Sequence, residues 1–161
     1  MKNAYIPGSF DPVTTGHVDI VERAAAIFGH VTVAVCGNAE KGHGLFTPAV
    51  RGELLASALS HLSNVTVEIL PAGRAVAARA AELSAVLVKG VRGGVDVAYE
   101  GEMAAVNHTV LGTDTLWLPA RADHIYVSST VVRELLRVGA PLDGYVPDSV
   151  VVALKKAYAA L

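Results

Sequence analysis

Short β-branched runs alternate along the chain with longer stretches whose apolar residues recur every three or four positions. Ala4 to Ile6 reads as a first strand, ended by Pro7-Gly8. Val18 to Phe28 reads as a helix with Ile20, Val21, Ala24, Ile27 and Phe28 on one stripe, stopped by Gly29. Val31 to Cys36 is a second strand. Thr47-Pro48 marks a helix start, a capping hydroxyl followed by proline at the first helical position, and Leu54, Leu55, Ala58, Leu59 and Leu62 turn inward from that helix. Val65 to Leu70, Ala85 to Val88 and Thr115 to Leu118 read as further strands. Helices are expected over Ala75 to Leu83, Asp96 to Leu111, Ser128 to Val138 (closed by Gly139) and Pro147 to Ala160. Met103 and Trp117 are expected in the core.

Strands that alternate with helices predict an α/β fold with a parallel sheet covered on both faces. The expectation is a single domain over residues 1–161, built as a Rossmann-like doubly wound parallel sheet. Ligands in such sheets bind beyond the carboxyl ends of the strands, which directs attention to the loops at 7–17, 37–46, 71–74, 89–95 and 119–130.

Composition narrows the function classes. The chain has 161 residues, 52% hydrophobic and 17% charged, so a packed globule is expected rather than disorder. A net charge of −2 argues against a broad electropositive face for nucleic acid. No apolar run approaches the ~20 residues that span a bilayer, so no membrane segment is expected. Cys36 is the only cysteine, which fits a reducing cytoplasm and reads as a small buried hydrophobe. His30, His43, His61, His108 and His124 show no metal-ligand spacing, and no metal site is assigned to the chain.

Three loops carry candidate chemistry. Gly8-Ser9-Phe10-Asp11-Pro12-Val13-Thr14-Thr15-Gly16-His17 joins a strand to a helix and aims backbone N–H groups and the positive end of that helix at one point, a ready phosphate site. Ser9 and His17 can both donate to the same anion. An ordinary strand–helix turn with a capping threonine would use the same residues. No Gly-Lys-Ser/Thr follows, so the segment is not a P-loop. Val127-Ser128-Ser129-Thr130 with Arg133 is a second such junction, whose hydroxyls suit either helix capping or phosphate. Lys89-Gly90-Val91-Arg92-Gly93-Gly94 places two cations after the most hydrophobic strand, as a polyanion site or as a basic surface loop. Lys41, in the glycine-rich loop from Gly37 to Gly44, can join them.

Taken in order, these motifs together with Phe46-Thr47, Arg51, Tyr99-Glu100 and Asn107 resemble the phosphopantetheine adenylyltransferases, of the T/H-x-G-H nucleotidyltransferase superfamily, over essentially the whole length. The resemblance implies reversible transfer of AMP from ATP to 4′-phosphopantetheine, giving dephospho-coenzyme A and pyrophosphate, with Mg²⁺, in a cytoplasmic homo-hexamer. It implies that His17 stabilises the transition state. Ser9, Phe10, His17, Gly90, Val91, Arg92, Glu100 and the run His124, Ile125, Tyr126, Val127, Ser128, Ser129, Thr130 would bind ATP. Ser9, Lys41, Ala75 and Lys89 would bind the acceptor. Lys89 stands where the family usually has arginine, which keeps the charge and loses the bidentate fork. Ala49-Val50 replaces an acidic pair, and Pro71 to Val76 departs from the apolar family segment. Other enzymes of the superfamily, acting on nicotinamide mononucleotide or pairing CTP with an alcohol phosphate, and a regulatory nucleotide-binding module are the alternatives.

Overall fold

A computed structural model describes residues 2–37 and 44–158. Its five strands are β1 (Asn3–Gly8), β2 (His30–Cys36), β3 (Val65–Leu70), β4 (Ala85–Val91) and β5 (Thr115–Pro119). They form one parallel sheet in the order β3-β2-β1-β4-β5. The helices are α1 (Thr15–Ile27), α2 (Pro48–Ala58), α3 (Val76–Glu82), α4 (Gly94–Leu111), α5 (Ser129–Arg137) and α6 (Asp148–Tyr158). The doubly wound α/β architecture expected from the alternation is therefore present.

Side-chain alternation decides which face each strand residue serves. Ala4 and Ile6, Val31, Val33 and Val35, and Val88 enter a large core with Val21 and Ala24 of α1, Leu55 of α2, Val132 of α5 and Val150 and Leu154 of α6. Tyr5, Ala34 and Leu87 point the other way, onto Ala77 and Ala80 of α3. Alanines on α3 let that helix approach closely. The fully buried Tyr5 donates its hydroxyl to Glu68 at 2.7 Å, and Glu68 is held by Arg79 of α3 at 2.9 Å. Burial, then that carboxylate, pushes the Tyr5 phenol far above its usual range.

The chain reverses its winding beside β1, so the crevice between β1 and β4 is the topological switch point. Register makes the opening concrete. β1 pairs with β2 along its whole length, from Asn3↔His30 to Gly8↔Val35. It pairs with β4 only from Asn3↔Ala85 to Tyr5↔Leu87, and the two strands part beyond that point.

Several expectations are corrected. Helix α1 begins at Thr15, three positions before Val18, because Thr14 caps it through a bond from the His17 backbone N–H. Ile27 is 61% exposed rather than part of the inward stripe. Met103 and Trp117 are not core: each is 39% exposed, since α4 buries no residue and β5 is an edge strand. Hydropathy registers these side chains as apolar and is blind to whether the same chain covers them.

Leu55 is fully buried between α2 and the sheet. We expect Leu55→Ala to cost about 2–5 kcal/mol, the range for removing buried leucine atoms and leaving a cavity. Urea unfolding should show a lower midpoint with an unchanged slope; an unchanged midpoint would contradict this packing.

Candidate functional site

A cleft of about 1120 Å³ opens at the carboxyl ends of β1 and β4. Its floor is the loop from β1 to α1, and side chains from elsewhere hold that backbone. Arg51 of α2, only 8% exposed, donates from Nη1 to the Ser9 carbonyl at 2.9 Å and from Nε to the Phe46 carbonyl at 3.0 Å. The buried Asp11 carboxylate accepts the backbone N–H groups of Leu45 and Phe46 at 2.8 and 3.0 Å. Arg133 of α5 donates to the Asp11 carbonyl, and Ser129 Oγ to the Pro12 carbonyl at 2.8 Å. Gly44 is needed here, because a Cβ at that position would collide with the Asp11 carboxylate.

Phe10 sits at φ +47°, left-handed backbone that a bulky residue adopts only where its surroundings impose it. Its ring is almost completely buried and meets the His17 ring edge-on, with centroids 5.0 Å apart. A side chain on Gly8 would strike that ring, with its Cβ 2.9 Å away. Two glycine-dependent approaches therefore shape this floor.

His17 closes a capping box: Thr14 Oγ1 accepts from the His17 backbone, while the Thr14 N–H donates to the imidazole Nδ1 at 3.0 Å. The Thr14 N–H therefore claims the Nδ1 lone pair, so the neutral ring carries its proton on Nε2. Burial first, and the Arg92 charge second, push the ring down to about 4 from an ordinary 6.5. At neutral pH His17 is an uncharged N–H donor.

The cleft gathers three helix N-termini: Thr14, Gly16 and His17 at α1, Thr47 and Pro48 at α2, and Ser128, Ser129 and Thr130 at α5. Their positive ends favour an anion at one place. Lys89 and Arg92 line it from β4 and the turn after it, each engaged by a carboxylate of α4. Lys89 Nζ lies 3.2 Å from Glu100 Oε1, and Arg92 Nε lies 3.0 Å from Asp96 Oδ2. Such partly exposed pairs are weak, so a polyanion can displace them.

Of the residues singled out in the sequence, Ser9, Phe10, His17, Lys89, Gly90, Arg92, Glu100, His124, Val127, Ser128, Ser129 and Thr130 all line this cleft. Val91, Ile125, Tyr126 and Ala75 do not. Val91 is buried and its carbonyl accepts from the Ala120 N–H, while Ile125 and Tyr126 are exposed. Near α3 the wall is Ala72, three positions before Ala75. Lys41 lies outside the described residues.

The hydroxyl run divides its labour: Ser128 caps α5 by accepting from the Val131 N–H, Ser129 holds Pro12, and Thr130 accepts from Arg133. Capping does not withdraw these residues from the cleft, which all three line. Sequence reasoning gave Asp11 no role and missed Asp19. Asp11 attracts attention only by being acidic beside a glycine-rich loop, and its partners lie 34 and 35 positions away.

Among the described residues no three His, Cys, Asp or Glu side chains form a group able to hold a metal. No described helix is long and apolar enough to cross a membrane.

Known proteins of similar sequence and fold point the same way. The family described as cytidylyltransferase-like matches residues 5–135. The phosphopantetheine adenylyltransferase of Corynebacterium efficiens is 44% identical over 155 residues, covering 96% of this chain and 97% of that protein. The phosphopantetheine adenylyltransferase of Symbiobacterium thermophilum is 42% identical over 160 residues, covering 99% and 98%. Among solved structures, a bifunctional NMN adenylyltransferase/ADP ribose pyrophosphatase from Francisella tularensis superposes with a TM-score of 0.69. It is 14% identical, with 99% of this chain and 51% of that one covered, and so it speaks for the fold alone. With two such relatives matched along nearly their whole length, the chain belongs to the phosphopantetheine adenylyltransferase family.

Proposed function

We propose that this chain transfers AMP from ATP to 4′-phosphopantetheine, giving dephospho-coenzyme A and pyrophosphate, a step of coenzyme A biosynthesis. Besides family membership, one observation carries the reading: three helix N-termini, two cations and a neutral histidine converge on one cleft at the switch point. A phosphate monoester is already anionic, so its oxygen can attack the α-phosphorus of ATP without a general base. The new P–O bond forms as the bond to the β-phosphate oxygen breaks, and that electron pair leaves with pyrophosphate. The protein must supply alignment of two polyanions and stabilisation of charge on the phosphorus oxygens.

In this reading His17 donates its Nε2 proton as a hydrogen bond to an oxygen of the reacting phosphate. Thr14 fixes the tautomer that makes this possible. Ser9 sits between donor and acceptor phosphates. Lys89, with Lys41, takes the acceptor phosphate, and Arg92 takes the phosphates of ATP. Glu100, His124 and the residues from Val127 to Thr130 receive the nucleotide. Val91, Ile125 and Tyr126 lie outside the cleft lining and are given no contact with ATP, and Ala72 replaces Ala75 at the acceptor's arm. Magnesium fits this donor set as a companion of the nucleotide, because Asp11 is occupied by backbone N–H groups and Glu100 by Lys89. Held by ATP phosphates, the ion would neutralise part of their charge. A reaction on ATP and a soluble acceptor suits the cytoplasm.

Hexameric assembly, implied by the family resemblance, has support in the surface of α4 and β5. Val95, Tyr99, Met103, Val106 and Val110 follow a four-four-three-four spacing, and all five are exposed, Val95 by 86% and Val110 by 70%. Trp117, whose ring lies beside Gly101 of α4, extends the apolar area onto the edge strand. A contiguous patch of this kind marks an interface.

Three measurements test these proposals. Pyrophosphate release should be strong with ATP and phosphopantetheine and weak with ATP and nicotinamide mononucleotide; the reverse order would overturn the acceptor assignment. His17→Ala should lower kcat about 10²–10³-fold, as for loss of one preorganised donor, while leaving ATP affinity nearly unchanged. Equal losses in rate and affinity would contradict a transition-state role. Light scattering should give a hexamer for the native chain and smaller species for Val106→Glu; a native monomer would refute the assembly.

The histidine also makes a pH prediction. Because the folded value is depressed, the unfolded chain takes up a proton between 6.5 and about 4 that the folded chain refuses. This contribution to stability is therefore intact above pH 6.5 and declines as pH falls toward 4. In an NMR titration His17 should stay in the Nε2–H form through neutrality, with a midpoint of about 4. A midpoint at the ordinary value would show that the ring is solvated.

A further inference from the structure

The chain leaves β5 at Pro119 and must reach Ser128, the N-cap of α5, along the outer wall of the cleft. Its first steps are tied down at three consecutive residues. Arg23 of α1 donates to the Pro119 carbonyl at 2.8 Å, and the Ala120 N–H donates to the Val91 carbonyl at 2.8 Å. Arg121 Nε then lies 3.0 Å from Asp19 Oδ1, on α1. The Asp19 side chain is only 6% exposed, and its other oxygen meets Arg23 at 3.1 Å. A carboxylate so far withdrawn from water needs such partners, and it holds them firmly.

Beyond Arg121 the backbone advances in two turns. The His124 N–H donates to the Arg121 carbonyl at 2.9 Å, and the Val127 N–H donates to the His124 carbonyl at 3.0 Å. These turns end beside the Ser128 cap. They also bring the loop onto the start of α1, where a Cβ on Gly16 would lie 3.7 Å from the Val127 carbonyl and 3.8 Å from His124 Cβ. His124 Nδ1 is covered and has no partner among the described residues. A ring nitrogen held out of water in this way is suited to a polar group of a ligand.

We propose that the Asp19–Arg121 ion pair is a latch that sets His124 and Val127 at the nucleotide side of the cleft, making Arg121 a positioning residue for ATP. This rests on the assignment of His124 and Val127 to Thr130 to the nucleotide. Arg121 itself is 63% exposed and does not line the cleft, so it acts only through the turns that start from it.

The test compares the native enzyme with Arg121→Ala, Arg121→Lys and Arg121→Glu, by steady-state kinetics and by calorimetric binding of ATP. Arg121→Ala should raise both KM and Kd for ATP roughly three- to tenfold, the scale of a partly exposed ion pair to a buried carboxylate. KM for phosphopantetheine should not move, and the fall in melting temperature should be small, because Arg23 still holds the other Asp19 oxygen. Arg121→Lys should recover most of the loss, and Arg121→Glu, facing Asp19 with like charge, should exceed it. Unchanged ATP constants in all three variants would overturn the latch. So would equal losses for both substrates accompanied by a large drop in melting temperature, which would mean a merely structural pair. Failure of the native enzyme to release pyrophosphate from ATP and phosphopantetheine would instead sink the assigned reaction, and the ATP-binding comparison would still decide the latch.

Discussion

The site depends on how the backbone between Ser9 and Thr14 is held. Three carbonyls of this loop accept from side chains on other elements: that of Ser9 from Arg51, that of Asp11 from Arg133 and that of Pro12 from Ser129. The Asp11 carboxylate extends the tie to the backbone of Leu45 and Phe46. Buried polar groups demand partners. Here that demand fastens the starts of α2 and α5 to the start of α1. The convergence of helix ends is thus a consequence of satisfying one short loop, and Phe10 can occupy left-handed backbone because its neighbours are fixed on both sides.

From that arrangement comes the economy of charge at the cleft. A protein of net charge −2 gathers positive potential at this one cleft. Helix ends provide partial positive charge that needs no counterion. The formal cations Lys89 and Arg92 carry their own carboxylates, Glu100 and Asp96, on the same helix. A phosphate arriving at Lys89 must compete with Glu100.

Much of this was legible in the sequence, for physical reasons. Strands such as Val31 to Cys36, embedded in the sheet with both faces covered, carry apolar residues at nearly every position, and Thr47-Pro48 announces α2 through capping chemistry that needs no tertiary context. The cleft loops were found because they follow strands in a doubly wound order. Partner choice across long separations stayed hidden. Asp19 looks like an ordinary helical aspartate until Arg121, on a loop after the last strand, is folded against it. Arg133 reads as part of the hydroxyl-rich junction, and its partner, the Asp11 carbonyl, shows only in the fold. Met103 and Trp117 were misplaced for the converse reason: an apolar face left exposed by this chain and one turned to its core have the same pattern.

The histidine shows why such hidden contacts matter for chemistry. His17 at the start of a helix could have been a cation drawn to phosphate, and its sequence position does not distinguish that from a neutral donor. The distinction lies in one backbone N–H, that of Thr14, which claims Nδ1. Burial against Phe10 and the nearby charge of Arg92 then disfavour a second proton. In the role proposed for His17, a neutral donor suits the reaction better than a cation. A charged imidazolium would bind ground-state phosphates as readily as the transition state, whereas a fixed N–H aimed at one oxygen rewards the charge that gathers there during transfer. The same capping box that begins α1 therefore selects the protonation state of His17 and the direction of its Nε2 proton.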